Sequence, residues 1–381
     1  MLAGAAGTVL AFLPVSVSAH AQLIGSNPPP GAILDVLPAS VELDFSESVT
    51  PAGRGISVYG PDGRLVQTGT ARAQGTRLSV QLGAGTEGTY TVIWTVIAAD
   101  THPSRGMLTF SVGHESPVRA PGRGGGDVGL VSPLGFALQA LARFFHFAGF
   151  ALGFGAATYA LFVARDSRPL RLAGLGAALL LGAEPLALLA QTASLDPAQT
   201  FDGDALTGVL ASPFGRVLGL RVAAALLLWA VLGALRQAPW LRWSIPGLGL
   251  VLAVVDATAA HATPALPQPL GLALNAAHVA AMGLWVGGVA AFAITPADGF
   301  RRVAVWSAGL LIASGAALAL LHFASPLQTM TTAYGATLMV KLPLVAAALW
   351  LAWRARRRGE LVALMAVLAA AAALVSLPPP R

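Results

Sequence analysis

Hydrophobic and polar positions change their rhythm near residue 133. Between residues 20 and 113 apolar side chains recur at every second position in short runs: Val41, Leu43, Phe45; Leu78, Val80, Leu82; Tyr90, Val92, Trp94, Val96; and Leu108, Phe110, Val112. A period of two, punctuated by Gly and Pro, belongs to half-buried strands. Turns such as Gly60-Pro61-Asp62-Gly63 separate these strands, so the region predicts a small all-β antiparallel sandwich of immunoglobulin-like type, with Phe45, Trp94 and Phe110 in its core. Residues 114–132 are rich in Gly, Pro and Arg and show no period, which predicts a flexible linker in which His114 is solvated. From 133 to 381 the pattern becomes a series of long apolar segments. Crossing a bilayer takes about 20 such residues, and the segments 143–164, 170–192, 214–235, 241–260, 270–294, 302–323, 335–353 and 360–377 qualify. They predict an all-α polytopic membrane bundle of about eight helices.

Charge then orients the bundle. Alternate loops carry Arg165, Arg168 and Arg171; Arg236 and Arg242; Arg301 and Arg302; and Arg354, Arg356, Arg357 and Arg358. Basic loops stay on the cytoplasmic side. The remaining loops, with Asp196, Asp202 and Asp204 or almost no charge, fall outside together with the sandwich and the tail from Pro378 to Arg381. This is the arrangement of a multi-pass protein of the cell (inner) membrane with an extracytoplasmic N-terminal domain. Residues 1–19 run from an apolar stretch, Leu2 to Val17, into Val17-Ser18-Ala19. They read as a signal peptide whose removal leaves His20 first; because no Arg or Lys precedes the apolar stretch, an uncleaved anchor helix is the alternative.

A weak internal repeat is also visible. Phe214-Gly215 to Arg221 and Tyr334-Gly335 to Lys341 open the third and seventh spans with the same pattern of aromatic, Gly, Leu and cation. The first and fifth spans each carry a GxxxG, at Gly149 and Gly153 and at Gly283 and Gly287, shortly after a histidine. Two four-helix halves in parallel orientation would account for both.

Composition narrows the class. With 55% hydrophobic and 10% charged side chains, the 381 residues are not an ordinary soluble globule. The net charge of +6 sits at the ends of apolar runs and not on one patch, so it orients helices and does not point to nucleic acid. The absence of cysteine excludes disulfides, thiolate zinc and iron–sulfur clusters, leaving His, Met, carboxylate, carbonyl or the terminal amine as metal ligands.

Asp100 and His102 stand two apart just beyond a strand-like run, which in extended chain puts them on one face. A free His20 adds its α-amine and Nδ1, completing a set of three nitrogens and one oxygen that suits Cu(II) better than soft Cu(I). The plain alternative makes Asp-Thr-His-Pro a turn capped by Asp100 with His102 exposed. In the membrane half, His146, His261, His278 and His322 all fall in the outer half of their spans, and Met282 lies one turn from His278 on a stripe with Asn275 and Trp285. They form a candidate route for copper as Cu(I). Glu184, Arg221, Asp256 and Lys341 lie within spans, where a charge costs roughly 2.5–3.5 kcal/mol. The expected remedy is pairing: Glu184 with Arg221, and Lys341 either with Asp256 or lining the path.

The wider pattern resembles the CopC copper-binding domain fused to the CopD membrane domain. The resemblance is carried by His20-Ala21-Gln22-Leu23, Ser26-Asn27-Pro28-Pro29-Pro30-Gly31, the run Val41 to Glu47, and Tyr90 to Trp94 leading into Asp100-Thr101-His102-Pro103 and Gly106. In the membrane half it is carried by Asn275 to His278, Gly283 to Gly288 and Tyr334 to Lys341. It implies that His20, Asp100 and His102 bind Cu(II), although Thr101 stands where the family usually has Gly. It also implies copper homeostasis or transport, in the direction of uptake, with the copper ion and the lipid bilayer as partners and no enzymatic activity. A copper chaperone or reductase would be needed to deliver Cu(I), and the sequence identifies neither. Other classes remain on the page: a copper monooxygenase, against which Asp100 argues; a membrane b-type cytochrome with histidine-ligated haem; and a copper sensor with a membrane anchor. No nucleotide-binding loop is present, which argues against an ATP-driven pump.

Overall fold

The computed structural model describes residues 21–98, 103–118, 133–195, 200–259, 266–323 and 327–377. The leader 1–19, His20, Asp100, His102, Asp196, His261, the linker from 119 to 132 and the tail 378–381 lie outside the described residues. Two compact units result, one formed by 1–136 with 188–216, the other by 137–187 with 217–381.

The first unit is built on eight strands: β1 (Leu23–Asn27), β2 (Ile33–Leu34), β3 (Ser40–Phe45), β4 (Val49–Tyr59), β5 (Gln67–Gln74), β6 (Arg77–Leu82), β7 (Gly88–Ala98) and β8 (Pro103–Val112). They form two four-stranded sheets, ordered β1-β3-β6-β5 and β2-β8-β7-β4. The pairing is antiparallel as expected, except that β2 joins β8 in parallel. Alternation does its work here: Val41, Leu43 and Phe45 from one sheet meet Tyr90, Val92, Trp94 and Phe110 from the other, all buried. Phe45 meets the Trp94 ring edge-on at 6.4 Å, and Tyr90 stacks on Phe110 at 5.1 Å. The Tyr90 hydroxyl donates to the Thr86 carbonyl at 2.6 Å, the pin of a tyrosine corner. Gly60 to Gly63 turns as its composition predicts, with Gly63 at φ 78°.

Strand β7 is more buried than a period of two implies. Its outward Ile97 is covered by an apolar cluster with Ala52, Leu195 and Val209. Leu195 ends the second long helix, and Val209 belongs to a short helix, Gly203–Ala211, that opens on an Asp202 cap and packs against β4. The run after β8 also stays attached. Ser116 exchanges two 2.8 Å hydrogen bonds with Thr89, so residues up to 118 continue the sandwich edge.

Opposite Trp94 in the β7–β8 ladder stands Gly106. Any side-chain carbon there would run into the Trp94 ring. Gly106→Ala is therefore expected to destabilise the sandwich by about 1–3 kcal/mol, the usual cost of overpacking. A lowered midpoint in tryptophan-detected thermal unfolding would register it, and an unchanged midpoint would contradict this packing.

The helices long and apolar enough to cross a membrane number eight among the described residues. They are α1 (Pro133–Phe150, continuing to Ala164 largely in π-helical windings), α2 (Leu170–Leu195), α3 (Pro213–Ala234), α4 (Ser244–Thr258, led by the 3₁₀ turn Pro239–Trp243), α5 (Gln268–Ile294), α6 (Phe300–His322), α7 (Ala333–Trp353) and α8 (Arg357–Val375). Most limits fall within a few residues of expectation. The exception is α1, which starts at Pro133 where the hydropathy pattern suggested 143. Arg143, taken as a boundary, lies inside the helix and donates to the Val375 carbonyl at the end of α8. A cation at a helix C-terminus is stabilised by the exposed carbonyls and the dipole.

Small residues let the helices of the second unit approach backbone to backbone. Gly149 and Gly153 admit α2 at Gly176, while Gly155 lies against the Gly283 carbonyl of α5. Gly287 in turn lies against the Ala151 carbonyl. These last two contacts are reciprocal at one constant sequence offset, as a two-fold relation between α1 and α5 requires. Tyr159, Phe292 and Phe300 cluster near the far end, with Tyr159 and Phe300 at 5.2 Å and Phe292 and Phe300 at 5.0 Å.

Candidate functional site

In the sandwich, the neighbours of the expected copper ligands meet. Ile97 pairs with Pro103, so the β7 and β8 stems are in register on either side of the segment that carries Asp100 and His102. Ala21, the residue after His20, is 2% exposed, and its carbonyl accepts a 3.0 Å hydrogen bond from Ser104 Oγ on β8. The next residue is tied as well: Ser46 N donates to the Gln22 carbonyl at 2.8 Å, and Gln22 N donates to Ser46 Oγ at 3.0 Å. On the outer side, Arg105 donates from Nη1 to the Leu195 carbonyl at 3.0 Å. The stems are thus fixed by a buried hydrogen bond on one face, and by a charge-assisted bond and an apolar cluster on the other.

In the helical unit, four helices contribute to one buried polar cluster. His146 on α1 stands between two carboxylates, Nδ1 at 2.9 Å from Glu184 Oε1 on α2 and Nε2 at 3.0 Å from Asp256 Oδ2 on α4. Arg221 on α3 donates from Nε to Asp256 Oδ1 at 2.8 Å, and its Nη1 lies 4.0 Å from Glu184 Oε2. The expected proximity of Glu184 and Arg221 is present, but the closer bonds run through His146 and Asp256. Asp256, for which Lys341 was one expected partner, pairs instead with Arg221 of α3 and His146 of α1. Both ring nitrogens of His146 are engaged, which leaves no lone pair for copper or haem in this arrangement.

His278 and His322 are held separately. His278 Nδ1 lies 2.9 Å from Ser314 Oγ on α6, whose own proton goes to the Leu310 carbonyl at 2.6 Å. Nδ1 is therefore the donor, and the lone pair of a neutral ring is on Nε2. Met282, one turn further along α5, is 9% exposed. His322 points its Nδ1 at the Leu318 carbonyl, 2.6 Å away, and stacks on Tyr334 at 6.1 Å. The expected outer-side route includes His261, which lies outside the described residues. Among the described residues no three His, Asp or Glu side chains form a group able to hold a metal ion. Sequence reasoning missed Ser314 as the partner of His278 and the bridge from His146 to Asp256. The only signal for either was depth, counted from the helix ends.

Comparison with known proteins covers both parts. Residues 23–113 match the model of the CopC domain, and residues 134–265 match that of the copper resistance protein D-like N-terminal domain. The copper transport protein CutJ of Bacillus subtilis (strain 168) is 27% identical over 97% of this chain and 76% of its own length. Copper resistance protein C of Pseudomonas syringae pv. tomato is 31% identical over 28% of this chain and 90% of its own. Among solved structures, CopC from Methylosinus trichosporium OB3b is matched at 25% identity and a TM-score of 0.23, covering 26% of this chain and 98% of that one.

Proposed function

Since this chain belongs to the CopC family, with its CopC domain joined to a copper resistance protein D-like membrane domain, we propose that it captures Cu(II) outside the cell membrane and passes copper inward. The ligands are the α-amine and Nδ1 of a processed His20, with Asp100 and His102. The observation that carries this reading is the buried bond from Ser104 Oγ to the Ala21 carbonyl. It joins the residue beside one expected ligand to the strand that leaves the others. A terminal amine and imidazole close a chelate ring on one ion, and two further donors from a braced loop would complete a tetragonal set.

The membrane step uses softer ligands. His278 directs its Nε2 lone pair away from Ser314, and Met282 supplies a thioether on the same helical stripe, a pair suited to Cu(I). His322, at the end of α6, extends this route, His261 is carried with it from the sequence alone, and His146 is left out because both its nitrogens are bonded. In this reading the arginine-rich loops are cytoplasmic, the sandwich is extracytoplasmic, and uptake is the working direction. The one electron that takes Cu(II) to Cu(I) comes from a reductase partner, a chaperone partner can carry the ion, and the chain itself is no enzyme.

The test is copper movement in proteoliposomes of the full chain, with a Cu(I)-responsive dye inside and copper plus reductant outside. Wild type is expected to raise the dye signal above empty vesicles. Paired His278→Ala and Met282→Ala substitutions should slow it by about tenfold or more, the scale of effect seen when metal-site groups are removed. A variant as fast as wild type would remove these residues from the route, and a wild type no faster than empty vesicles would remove transport.

A further inference from the structure

The cluster around His146 has a proton count that its geometry fixes. A neutral imidazole offers one N–H and one lone pair, so it satisfies one carboxylate and turns a lone pair against a second. Here both nitrogens face carboxylate oxygens, at 2.9 and 3.0 Å. The cluster therefore holds one proton more than a neutral histidine between two ionised carboxylates, on the ring or on one of the acids. Charge counting agrees: Glu184 and Asp256 bring two negative charges, Arg221 brings one positive charge, and the additional proton makes the sum zero. The side chains of His146, Glu184 and Asp256 are 3%, 2% and 4% exposed. An uncompensated charge at such a place costs several kcal/mol.

Two further observations mark this as more than a structural ion pair. Glu184 Oε2 is buried and accepts no hydrogen bond, with Arg221 no nearer than an ion-pair distance of 4.0 Å. A buried acceptor left open needs a reason. The second half of the bundle also carries the same site in altered form. Laying α1 on α5 at the offset that equates Ala151 with Gly283 and Gly155 with Gly287 equates His146 with His278. His278 Nδ1 makes its contact at the same 2.9 Å, but to the hydroxyl of Ser314 on α6, the second helix of its half as α2 is of the first. A hydroxyl asks for no additional proton, so this feature belongs to the first half.

We propose that the His146 cluster is a proton-binding site of the membrane domain, its ligand a single proton shared by His146, Glu184 and Asp256. Glu184 is the acceptor through which the proton leaves: the His146 Nδ1–H bond breaks, an O–H bond forms on Oε1, 2.9 Å away, no electron is transferred, and Oε2 is the open position of the same carboxyl group. The charged groups paired within the cluster are Asp256, Arg221 and Glu184, one from each of α4, α3 and α2. Coupling of this proton to the passage of a cation rests on the transport reading above, whereas occupancy of the site does not.

Histidine-15N NMR and infrared spectra of the full chain in lipid nanodiscs, without copper, test occupancy. In a buffer where exposed histidine is neutral, one ring is expected with both nitrogens protonated, and its signal should vanish in His146→Gln. Asp256→Asn, which keeps the shape of the site, should leave that ring with a single N–H. A neutral His146 in wild type, with no protonated-carboxyl band that Glu184→Gln or Asp256→Asn removes, would overturn the proposal. For coupling, the proteoliposomes carry a pH dye as well. Proton movement opposite to copper is expected in wild type and is expected to fall at least tenfold in Glu184→Gln. Copper movement without proton movement would overturn the coupling. Absence of copper movement would sink the transport reading and leave the spectroscopic result standing.

Discussion

One residue added before His20 is expected to lower the Cu(II) affinity of the full chain by more than about 100-fold, and His102→Ala to do the same. Loss of groups that merely orient metal ligands costs 10–100-fold, so loss of a ligand should reach or exceed the upper end of that range. The extended chain keeps every side chain and loses only the terminal amine, whose ring with Nδ1 closes on the metal. Ser104→Ala, which frees the Ala21 carbonyl from β8, removes positioning alone and belongs near the tenfold end. Because the amine binds a proton with a pKa of about 8, affinity should fall as pH drops below that value. Cu(II) titration with electron paramagnetic resonance, on protein whose chain begins at His20, reads all three variants. Nitrogen hyperfine structure lost in the extended protein would support the chelate. Equal affinity in wild type, the extended protein and His102→Ala would remove the site.

The sandwich was legible because one face of each strand had to be buried and the other did not. Val41, Leu43 and Phe45 carry that difference in three letters, and the structure places all three in the core. The rule weakened at the end of β7, where Ile97 and Ala98 are both buried. The groups that cover Ile97, Leu195 and Val209, come from a distant part of the chain. The spans were legible for a different reason, since hydropathy is local and the bilayer is thick. Their rotation was not. Helices apolar all round have no marked face, so depth suggested that Glu184 and Arg221 were neighbours but did not reveal that His146 stands beside Glu184 or that Asp256 closes the group. The start of α1 was not legible either: the expected span begins at 143, whereas the helix begins at Pro133 and Arg143 lies within it, donating to the Val375 carbonyl of α8. The expected copper ligands His20, Asp100 and His102 rest on pattern and resemblance and lie outside the described residues; the described structure shows only the bond between their neighbours, Ser104 Oγ to the Ala21 carbonyl.

Gly287→Val is expected to prevent assembly of the helical unit, at a cost of more than about 4 kcal/mol. Effects of that size are reserved for strain that the surroundings cannot relieve. A side chain at Gly287 would run into the Ala151 carbonyl and lie 2.7 Å from the Ala156 amide nitrogen. Both are backbone atoms of the π-helical part of α1, and neither has a rotamer through which to escape. The reciprocal substitution, Gly155→Val, meets the Gly283 carbonyl and should fail in the same way. In membranes helices associate through close packing of small residues, with little hydrophobic drive to compensate a lost contact, so the seam between α1 and α5 should not re-form at a wider spacing. Gly309→Val on α6 is the control, since nothing lies within 4 Å of a Cβ there. It changes residue type, helix propensity and hydropathy alike without forcing a Cβ into a neighbour. Monodisperse, heat-resistant protein from Gly309→Val, beside aggregated or degraded protein from both seam variants, would show that the two halves of the bundle depend on this contact. Comparable yield and melting for all three would mean that α1 and α5 do not meet in the way described, and with them would go the equivalence of His146 and His278.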